Sequence, residues 1–175
     1  DSEEALVGIS ALRSARGRLE TLAGPSGKTV VIDYAHTPDA LEHVLQTLRE
    51  VEPGRELVCV FGCGGERDRS KRPEMAAIAE KLADRIIVTS DNSRSEKTED
   101  IMAEICTGFS PAGRAKAICM ADRREAIRAA LCFSAPGAVI LLAGKGHETY
   151  QITEKGKEHF DEREICAEVL KQMSN

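Results

Sequence analysis

Residues 57–72 read LVCVFGCGGERDRSKR, an apolar run that ends in glycines and is followed by positive charges. A short apolar segment rich in β-branched and small residues, leading through glycines into a helix, is typical of a buried parallel strand and its strand-to-helix loop. Such loops bind anions, because glycines allow successive backbone N–H groups to point at one oxyanion. The side chains that add cations for binding carboxylate or phosphate are Arg67, Arg69, Lys71 and Arg72.

Short apolar strands alternate with amphipathic helices along the chain from residue 29 onward. This alternation predicts an α/β fold built on an open, mainly parallel sheet with helices on both faces. Residues 150–153 alternate between apolar and polar side chains, which indicates an antiparallel edge strand. We expect the main strands at 29–32, 57–61, 85–90, 115–120 and 138–143, the last of them central because it is apolar throughout.

The length and charge of the chain exclude several classes of function. Its 175 residues suffice for one domain with a substantial core. A formal net charge of −5 opposes a broad electrostatic grip on nucleic acid, and 3% aromatic residues leave few platforms for stacking bases. No apolar run is long enough to span a bilayer, and the opening residues do not resemble a signal peptide. We expect a cytosolic protein without nucleic-acid or membrane partners.

Most of the cysteines fall inside predicted strands or helices. The sequence contains six cysteines but no C-x-x-C pair. Cys59 and Cys63, four residues apart on a predicted strand and its loop, have poor geometry for binding zinc. We therefore expect neither a disulfide framework nor a metal site. Five cysteines are predicted to be small core residues, namely Cys59, Cys106, Cys119, Cys132 and Cys166.

Residues 1–20 stand apart from the alternation of strands and helices. Leu6, Ile9 and Leu12 form the apolar stripe of a predicted helix that has no place in the sheet. We interpret residues 1–20 as the tail of a preceding domain with its linker. Residues 21–175 then form one separate domain.

The chemically unusual residues of the chain cluster in four loops that follow predicted strands. Because ligands of such sheets bind outside the carboxyl ends of the strands, we expect these loops to meet at one rim. The loops are DYAHTPD at 33–39, GCGGERDRSKR at 62–72, DNSRSE at 91–96 and GKGHE at 144–148.

Arg67 and Arg94 lie in two of these loops. A lone loop arginine is usually solvated or paired with a neighbouring acid. Two arginines on one rim, together with Asp91 and Glu148, favour a binding site for a zwitterion, because guanidinium groups match carboxylates and a carboxylate can hold an ammonium group. No spacing in the chain indicates a nucleophile and base, so we predict no catalytic residue here.

Several other loop residues have two interpretations. His36 and His147 either contact phosphate or cap their loops, and Lys145 is either a phosphate contact or a solvated loop tip. The segment GPSGKT at 24–29 is similar to a P-loop, but Leu22 stands where the first glycine is required and a strand follows the segment. We interpret it as a turn. The chain alone therefore lacks recognisable machinery for binding nucleotide phosphates.

These loops, in this order, resemble the C-terminal domain of the Mur ligases. The likeness covers nearly the whole chain, from GRLE at 17–20 through DYAHTPDAL, VFGCGGERDRSKRP, SDNSR and LLAGKGHETYQ to FDERE at 160–164. It implies a Rossmann-like fold and an ATP-dependent amide-bond-forming ligase of peptidoglycan precursor synthesis. It also implies two further domains, one for the UDP-sugar and one carrying the P-loop and the Mg²⁺ site. ATP and Mg²⁺ would then be held mainly outside this chain, which would be inactive alone.

The resemblance also implies the substrates and the residues that bind them. The incoming amino acid would be meso-diaminopimelate, added to UDP-MurNAc-L-Ala-D-Glu through an acyl phosphate. ATP contacts from this domain would come from Arg18, Asp33 and His36, and none of the chain's residues would bind a metal. Diaminopimelate would be held by Arg67, Asp91, Asn92, Ser93, Arg94, Gly144 and Glu148.

One position departs from the family's pattern, since the diaminopimelate loop reads DNPR there and Ser93 replaces the proline here. Serine relaxes the backbone, but Arg94, which would recognise the additional carboxylate, is retained. Diaminopimelate is therefore favoured over L-lysine. The alternatives are a lysine-adding or other Mur or folylpolyglutamate-type ligase, and a freestanding module that binds an amino acid without ATP.

Overall fold

The computed structural model describes residues 16–173, so the helix predicted near the N-terminus lies outside the described residues. A six-stranded sheet forms the centre, in the order β1-β2-β6-β3-β4-β5. β1 runs antiparallel to β2, and every other neighbouring pair is parallel. The predicted fold class is confirmed. The strands are β1 (Glu20–Ala23), β2 (Thr29–Asp33), β3 (Leu57–Phe61), β4 (Arg85–Thr89), β5 (Ala117–Met120) and β6 (Val139–Ala143).

Helices cover both faces of this sheet, because side chains of alternate strand residues point to opposite faces and both sets are apolar. Val31, Cys59 and Val88 belong to one buried cluster, and Val30 and Ile140 belong to the other. The first three helices contribute to the former cluster, and the last two contribute to the latter. The helices are α1 (Pro38–Val51), α2 (Lys71–Leu82), α3 (Thr98–Cys106), α4 (Pro111–Ala115), α5 (Arg123–Phe133) and α6 (Glu162–Met173).

β6 lies between β2 and β3, and all five of its residues are buried. The prediction that the uniformly apolar strand is central is therefore confirmed. Side-chain caps fix the starts of two helices: the Thr37 side chain accepts a hydrogen bond from Ala40 N, and Asp122 accepts from the backbone N–H groups of Arg124 and Glu125.

One expectation about strands was wrong, and another was right except for the sheet to which the strand belongs. The first strand is β1 and not the segment that starts at Thr29, and β1 is the antiparallel edge of the main sheet. Residues 150–153 form β7 (Tyr150–Thr153), which pairs with β8 (Gly156–His159) in a separate two-stranded sheet. Both segments are short and half-buried or exposed, so their pairing depends on contacts that the local sequence does not reveal.

The cysteine prediction was correct for Cys59 and Cys166, which are buried, and wrong for Cys119 and Cys132, which are exposed. Cys106 is of intermediate exposure. Cys119 is exposed because β5 is the outer strand of the sheet, where the burial of alternate residues is incomplete. Within residues 16–173, no helix combines the length and the apolar character needed to cross a membrane.

The segment at 24–29 is a turn, as predicted. Pro25–Gly27 forms one short 3-10 turn, and the N–H of Gly24 donates to the carbonyl of Lys28 at 2.8 Å. The Lys28 ammonium is buried and donates to the carbonyl of Leu131 at 2.7 Å. A lysine occupied in this way, before a strand, does not form a phosphate site.

Candidate functional site

The four loops predicted to meet enclose a cavity of about 530 Å³ at the carboxyl ends of β2, β3, β4 and β6. Parallel strands place their carboxyl ends on one edge of the sheet, so segments far apart in sequence converge there. His36 lines the cavity, together with six of the seven residues predicted to bind the amino acid: Arg67, Asp91, Asn92, Arg94, Gly144 and Glu148.

Ser93 is the seventh residue, and the structure does not bring it into this cavity. Its side chain is buried and lines a separate depression beside Thr153 and Glu154. Its carbonyl accepts a hydrogen bond from Glu96 N at 3.0 Å. Position 93 therefore influences the cavity through the backbone of its loop.

The side-chain amide of Asn92 connects the loop after β4 with the loop after β6. Its Nδ2 donates to Glu148 Oε2 at 3.0 Å. Its Oδ1 accepts from Lys145 Nζ at 3.2 Å and from Ile152 N at 2.9 Å. Because both partners of Oδ1 are donors, the amide has one satisfactory orientation, with Nδ2 toward the carboxylate.

Lys145 is neither a phosphate contact nor a solvated tip, so both of its predicted roles were wrong. Its side chain is fully buried and also donates to the carbonyl of Tyr150 at 2.8 Å. Burial lowers the pKa of Lys145, while the carboxylates of Asp91 and Glu148, 3.8 and 3.5 Å from Nζ, act to raise it. The buried ammonium group therefore compensates the charges of the Asp91 and Glu148 carboxylates and keeps these two side chains together.

Arg94 adopts a left-handed backbone conformation with φ of +54°. Residues with side chains avoid this region unless their surroundings hold them there. Its N–H donates to the Ile152 carbonyl at 3.1 Å, and its Nη1 donates to the carbonyls of Gly65 at 2.8 Å and Asn92 at 3.1 Å. These contacts fix both the backbone and the guanidinium at the wall of the cavity.

Arg67 is exposed on the loop after β3, and its Nη1 donates to the carbonyl of Glu66 at 3.4 Å. Among residues 16–173, neither Arg67 nor Arg94 forms an ion pair with a carboxylate. The neighbouring acids are engaged elsewhere, since the Glu66 side chain accepts from Ser95 and that of Glu96 accepts from Arg72. Both arginines thus retain charge for a ligand carboxylate.

Two of the cations predicted to bind anions serve the protein itself. Arg72 is fully buried, and its Nη1 contacts Glu96 at 3.0 Å and Glu104 at 2.7 Å. Arg69 also pairs with Glu104. Of the four cations after Gly65, only Arg67 and Lys71 line the cavity, because the acids of α3 and its preceding loop capture the other two.

A family model for the Mur ligase glutamate ligase domain matches residues 17–146. The chain belongs to the Mur ligase family. It is 46% identical over 171 residues to the UDP-N-acetylmuramoyl-L-alanyl-D-glutamate--2,6-diaminopimelate ligase of Parabacteroides distasonis, covering 97% of this chain and 35% of that protein. It is 53% identical over 144 residues to the ligase of the same name from Thermosynechococcus vestitus, covering 82% of this chain and 28% of that protein.

Solved structures give the same family. A structure titled as UDP-N-acetylmuramoyl-L-alanyl-D-glutamate--2,6-diaminopimelate ligase superposes with a TM-score of 0.85 at 38% identity, covering 94% of this chain and 33% of that chain. The UDP-N-acetylmuramate-alanine ligase of Thermotoga maritima, at 19% identity and a TM-score of 0.61 over 94% of this chain and 31% of that chain, shares the fold. This chain spans about a third of the length of the ligases that it matches.

The residues proposed for ATP have different positions in this Mur ligase domain. His36 is exposed on the cavity wall, and its Nδ1 lies 2.8 Å from the Tyr34 carbonyl. Asp33 is buried outside the cavity, and its carboxylate accepts from Leu19 N at 2.8 Å and Ala35 N at 2.7 Å. Asp33 therefore links the segment before β1 to the loop after β2. Its contact with ATP stays a prediction.

Arg18 is exposed beside the loop after β6. The preceding Gly17 packs so closely that a Cβ atom there would lie 2.1 Å from His147 N. This contact brings residues 17–18 to the same end of the sheet as the cavity. The ring of His147, for which two roles were open, lies 5.0 Å from that of Tyr34, so it forms part of the aromatic edge of the rim. Burial raises the pKa of Tyr34, and Glu148 adds to this effect.

A buried ion pair behind the cavity was missed by the sequence analysis. The guanidinium of Arg123 and the carboxylate of Glu162 are both fully buried and 2.8 Å apart. Arg123 also donates to the carbonyls of Ser90 at 3.0 Å and Ala143 at 2.8 Å, where β4 and β6 end. It thereby fixes the starts of two cavity loops. No local signal marks such a residue, because an arginine at a helix start is usually solvated.

Proposed function

We propose that this chain is the amino-acid-binding part of an ATP-dependent ligase that adds meso-2,6-diaminopimelate to UDP-MurNAc-L-Ala-D-Glu. The observation that carries the proposal is one cavity whose lining includes Arg67 and Arg94, neither of which pairs with a carboxylate among residues 16–173, together with the carboxylates of Asp91 and Glu148 clustered around Lys145. The curated relatives named for this reaction, 44–53% identical to the chain, support it.

Diaminopimelate bears two carboxylates and two ammonium groups, which suits this distribution of charge. The guanidinium groups of Arg67 and Arg94 would bind carboxylates, and Arg94 would bind the one that lysine lacks. Glu148, held by Asn92, would bind the distal ammonium group. The Ser93 side chain lies outside the cavity, so the replacement of proline by serine removes none of these side-chain contacts and does not favour lysine.

Among the described residues, the P-loop-like turn at 24–29 is not arranged to bind nucleotide phosphates. The turn at 24–29 has its lysine buried against Leu131 and lies at the amino ends of the strands. We therefore place the P-loop and the Mg²⁺ site in the remainder of the full-length protein, with Arg18 and His36 reaching ATP from this domain. Residues 1–20 would connect the two parts.

The chemistry requires ATP to phosphorylate the glutamate carboxylate of the acceptor. ADP leaves, and the free amine of diaminopimelate attacks the acyl phosphate. The new C–N bond forms as the C–O bond to phosphate breaks, and the nitrogen loses a proton to give the amide. The role of this chain is to orient that amine by holding the rest of the amino acid. Positioning of this kind accelerates the reaction without a catalytic side chain from this chain, because a well-oriented amine attacks the acyl phosphate as if it were present at high concentration.

A ligation assay on the full-length protein that contains this chain tests the proposal. The protein would be supplied with ATP, UDP-MurNAc-L-Ala-D-Glu and one of three amino acids: meso-diaminopimelate, L-lysine or L-ornithine. We expect product and ADP with diaminopimelate and a kcat/KM at least about tenfold lower for the other two. Equal use of lysine would show a lysine-adding ligase, and amino-acid binding without any ligation would indicate a freestanding module.

A further inference from the structure

The β7–β8 hairpin, residues 150–159, contacts the loop that carries Arg94 from outside the cavity. Ile152 N donates to Asn92 Oδ1 at 2.9 Å, and the Ile152 carbonyl accepts from Arg94 N at 3.1 Å. Gln151 Nε2 donates to the Ser90 hydroxyl at 2.9 Å and to the Asp91 carbonyl at 3.1 Å. Four hydrogen bonds therefore attach two adjacent hairpin residues to the loop, although neither residue lines the cavity.

The pairing of β7 with β8 explains why the outer edge of β7 is free to form hydrogen bonds with the loop. Ile152 lies opposite Lys157 in the antiparallel register, and Gln151 lies opposite Glu158. In an antiparallel pair the backbone groups of alternate residues point away from the partner strand. Both backbone groups of Ile152 are bonded to residues 92–94, so this loop continues the hairpin on its free edge.

The same contacts hold the loop in an unfavourable conformation. Arg94 has a φ of +54°, and the hydrogen bond from its N–H to Ile152 fixes that residue directly. Asn92 is fixed through its Oδ1, which directs Nδ2 at Glu148. The hairpin thus determines the positions of a cation and an amide that face the cavity.

We propose that Gln151 and the backbone of Ile152 are positioning groups that give the cavity its selectivity for an amino acid with a second carboxylate. This inference depends on the proposed function. Arg94 would bind the carboxylate that distinguishes diaminopimelate from lysine, so a loop freed from the hairpin loses more affinity for diaminopimelate than for lysine. ATP binding should be unaffected because neither Gln151 nor Ile152 lines the cavity wall that carries His36.

The test compares variants of the hairpin in the full-length protein. Gln151→Ala removes two hydrogen bonds to the loop, and Ile152→Pro removes the N–H that Asn92 Oδ1 accepts. The matched controls are Glu158→Ala, which changes the exposed residue opposite Gln151, and Ile152→Ala, which keeps the backbone groups. Steady-state ligation would give KM for diaminopimelate, lysine and ATP.

We expect Gln151→Ala and Ile152→Pro to raise the KM for diaminopimelate about tenfold, as for one or two lost hydrogen bonds, and to lower the preference over lysine. The KM for ATP should change less than about twofold, and both controls should behave as wild type. Unchanged selectivity in Gln151→Ala would overturn the inference, and this variant decides the matter if Ile152→Pro does not fold.

Amide hydrogen exchange of the 175-residue chain provides a readout that does not depend on the substrate. The N–H of Arg94 should exchange faster in Gln151→Ala than in wild type or Glu158→Ala, with equal thermal stability in all three. Equal exchange would refute the claim that Gln151 holds the loop of residues 91–96 in place. A wild-type protein that does not ligate diaminopimelate would instead refute the proposed function, whatever the exchange rates.

Discussion

Asn92 donates a 3.0 Å hydrogen bond from Nδ2 to Glu148, and its backbone carbonyl accepts one from the guanidinium of Arg94 at 3.1 Å. One residue therefore links the cation and the anion that line the cavity. Since Lys145 and Ile152 occupy its Oδ1, Asn92 can offer a ligand only its second N–H. Its main effect is to orient Glu148.

Asn92→Asp should weaken the use of diaminopimelate. The substitution has nearly the same shape, but it replaces the donor to Glu148 with a second carboxylate oxygen, so attraction becomes repulsion. We expect the KM for diaminopimelate to rise about tenfold or more, measured by steady-state ligation with the full-length protein. The KM for ATP is the internal control. An unchanged KM for diaminopimelate would show that the carboxylate of Glu148 is held in place without Asn92.

The Arg123–Glu162 pair should be far more important for stability than a surface pair between the same helices. Glu162→Gln leaves the buried guanidinium without its counter-charge, and we expect a loss of about 3–5 kcal/mol in the free energy of unfolding. Glu168→Gln breaks the half-exposed pair with Arg124 and should cost less than about 1 kcal/mol. Urea unfolding of the chain measures both, and losses of equal size would contradict this view of the buried pair.

Much of the fold could be predicted because its signals are local. The apolar run at 57–61 and the uniformly apolar run at 138–143 identify central strands, since each is buried on both faces. The meeting of the four loops at one edge of the sheet could be predicted from the same pattern, because parallel strands place their carboxyl ends together. The positions of the outer strands could not be predicted in this way, because those of β1 and β7 depend on which partner strand they meet.

The supporting contacts of the site could not be predicted for a different reason. Lys145 lies between two glycines, a setting typical of a loop tip, yet Asp91, Asn92 and the Tyr150 carbonyl surround its ammonium group. Arg72 was expected to bind a ligand, but Glu96 and Glu104 enclose it. In both cases the residue type indicated a charged contact, whereas several of its partners come from other loops or helices of the chain.

Thiol reactivity should follow the burial of each cysteine. Cys119 and Cys132 are exposed and should react quickly with an aromatic disulfide reagent in the native chain. Cys59 and Cys166 should react only on unfolding, because burial blocks access and raises the pKa of each thiol to about 12. Titration in denaturant provides the control, with all six thiols reactive. Rapid modification of Cys59 in the native chain would contradict the described packing of β3.

The Glu20–Arg163 pair should make stability depend on acid pH. Hydrogen bonds from Arg163 lower the pKa of Glu20 below its ordinary 4.5, against the effect of burial. A lowered folded pKa contributes stability above the unfolded pKa, and that contribution is lost as the pH falls through the folded value. Glu20→Gln should therefore destabilise the chain at neutral pH by up to about 1 kcal/mol.

The difference between wild type and Glu20→Gln should shrink as the pH falls from the ordinary pKa of 4.5 toward the lowered folded pKa, and should disappear below the folded pKa, where the carboxyl of wild type is protonated in both states. Urea unfolding at neutral and acid pH gives the two values. A difference that stays constant across this range would mean that the two residues do not interact in the folded chain.

The effect of Arg94→Ala on amino-acid use tests the central claim most directly. Alanine meets about the same backbone restriction at a φ of +54°, so the change mainly removes the guanidinium. In the full-length protein, we predict a KM for meso-diaminopimelate raised about 10- to 100-fold, as for a lost charge-assisted hydrogen bond. The KM for ATP should stay within about twofold of wild type. An unchanged KM for diaminopimelate would contradict the account.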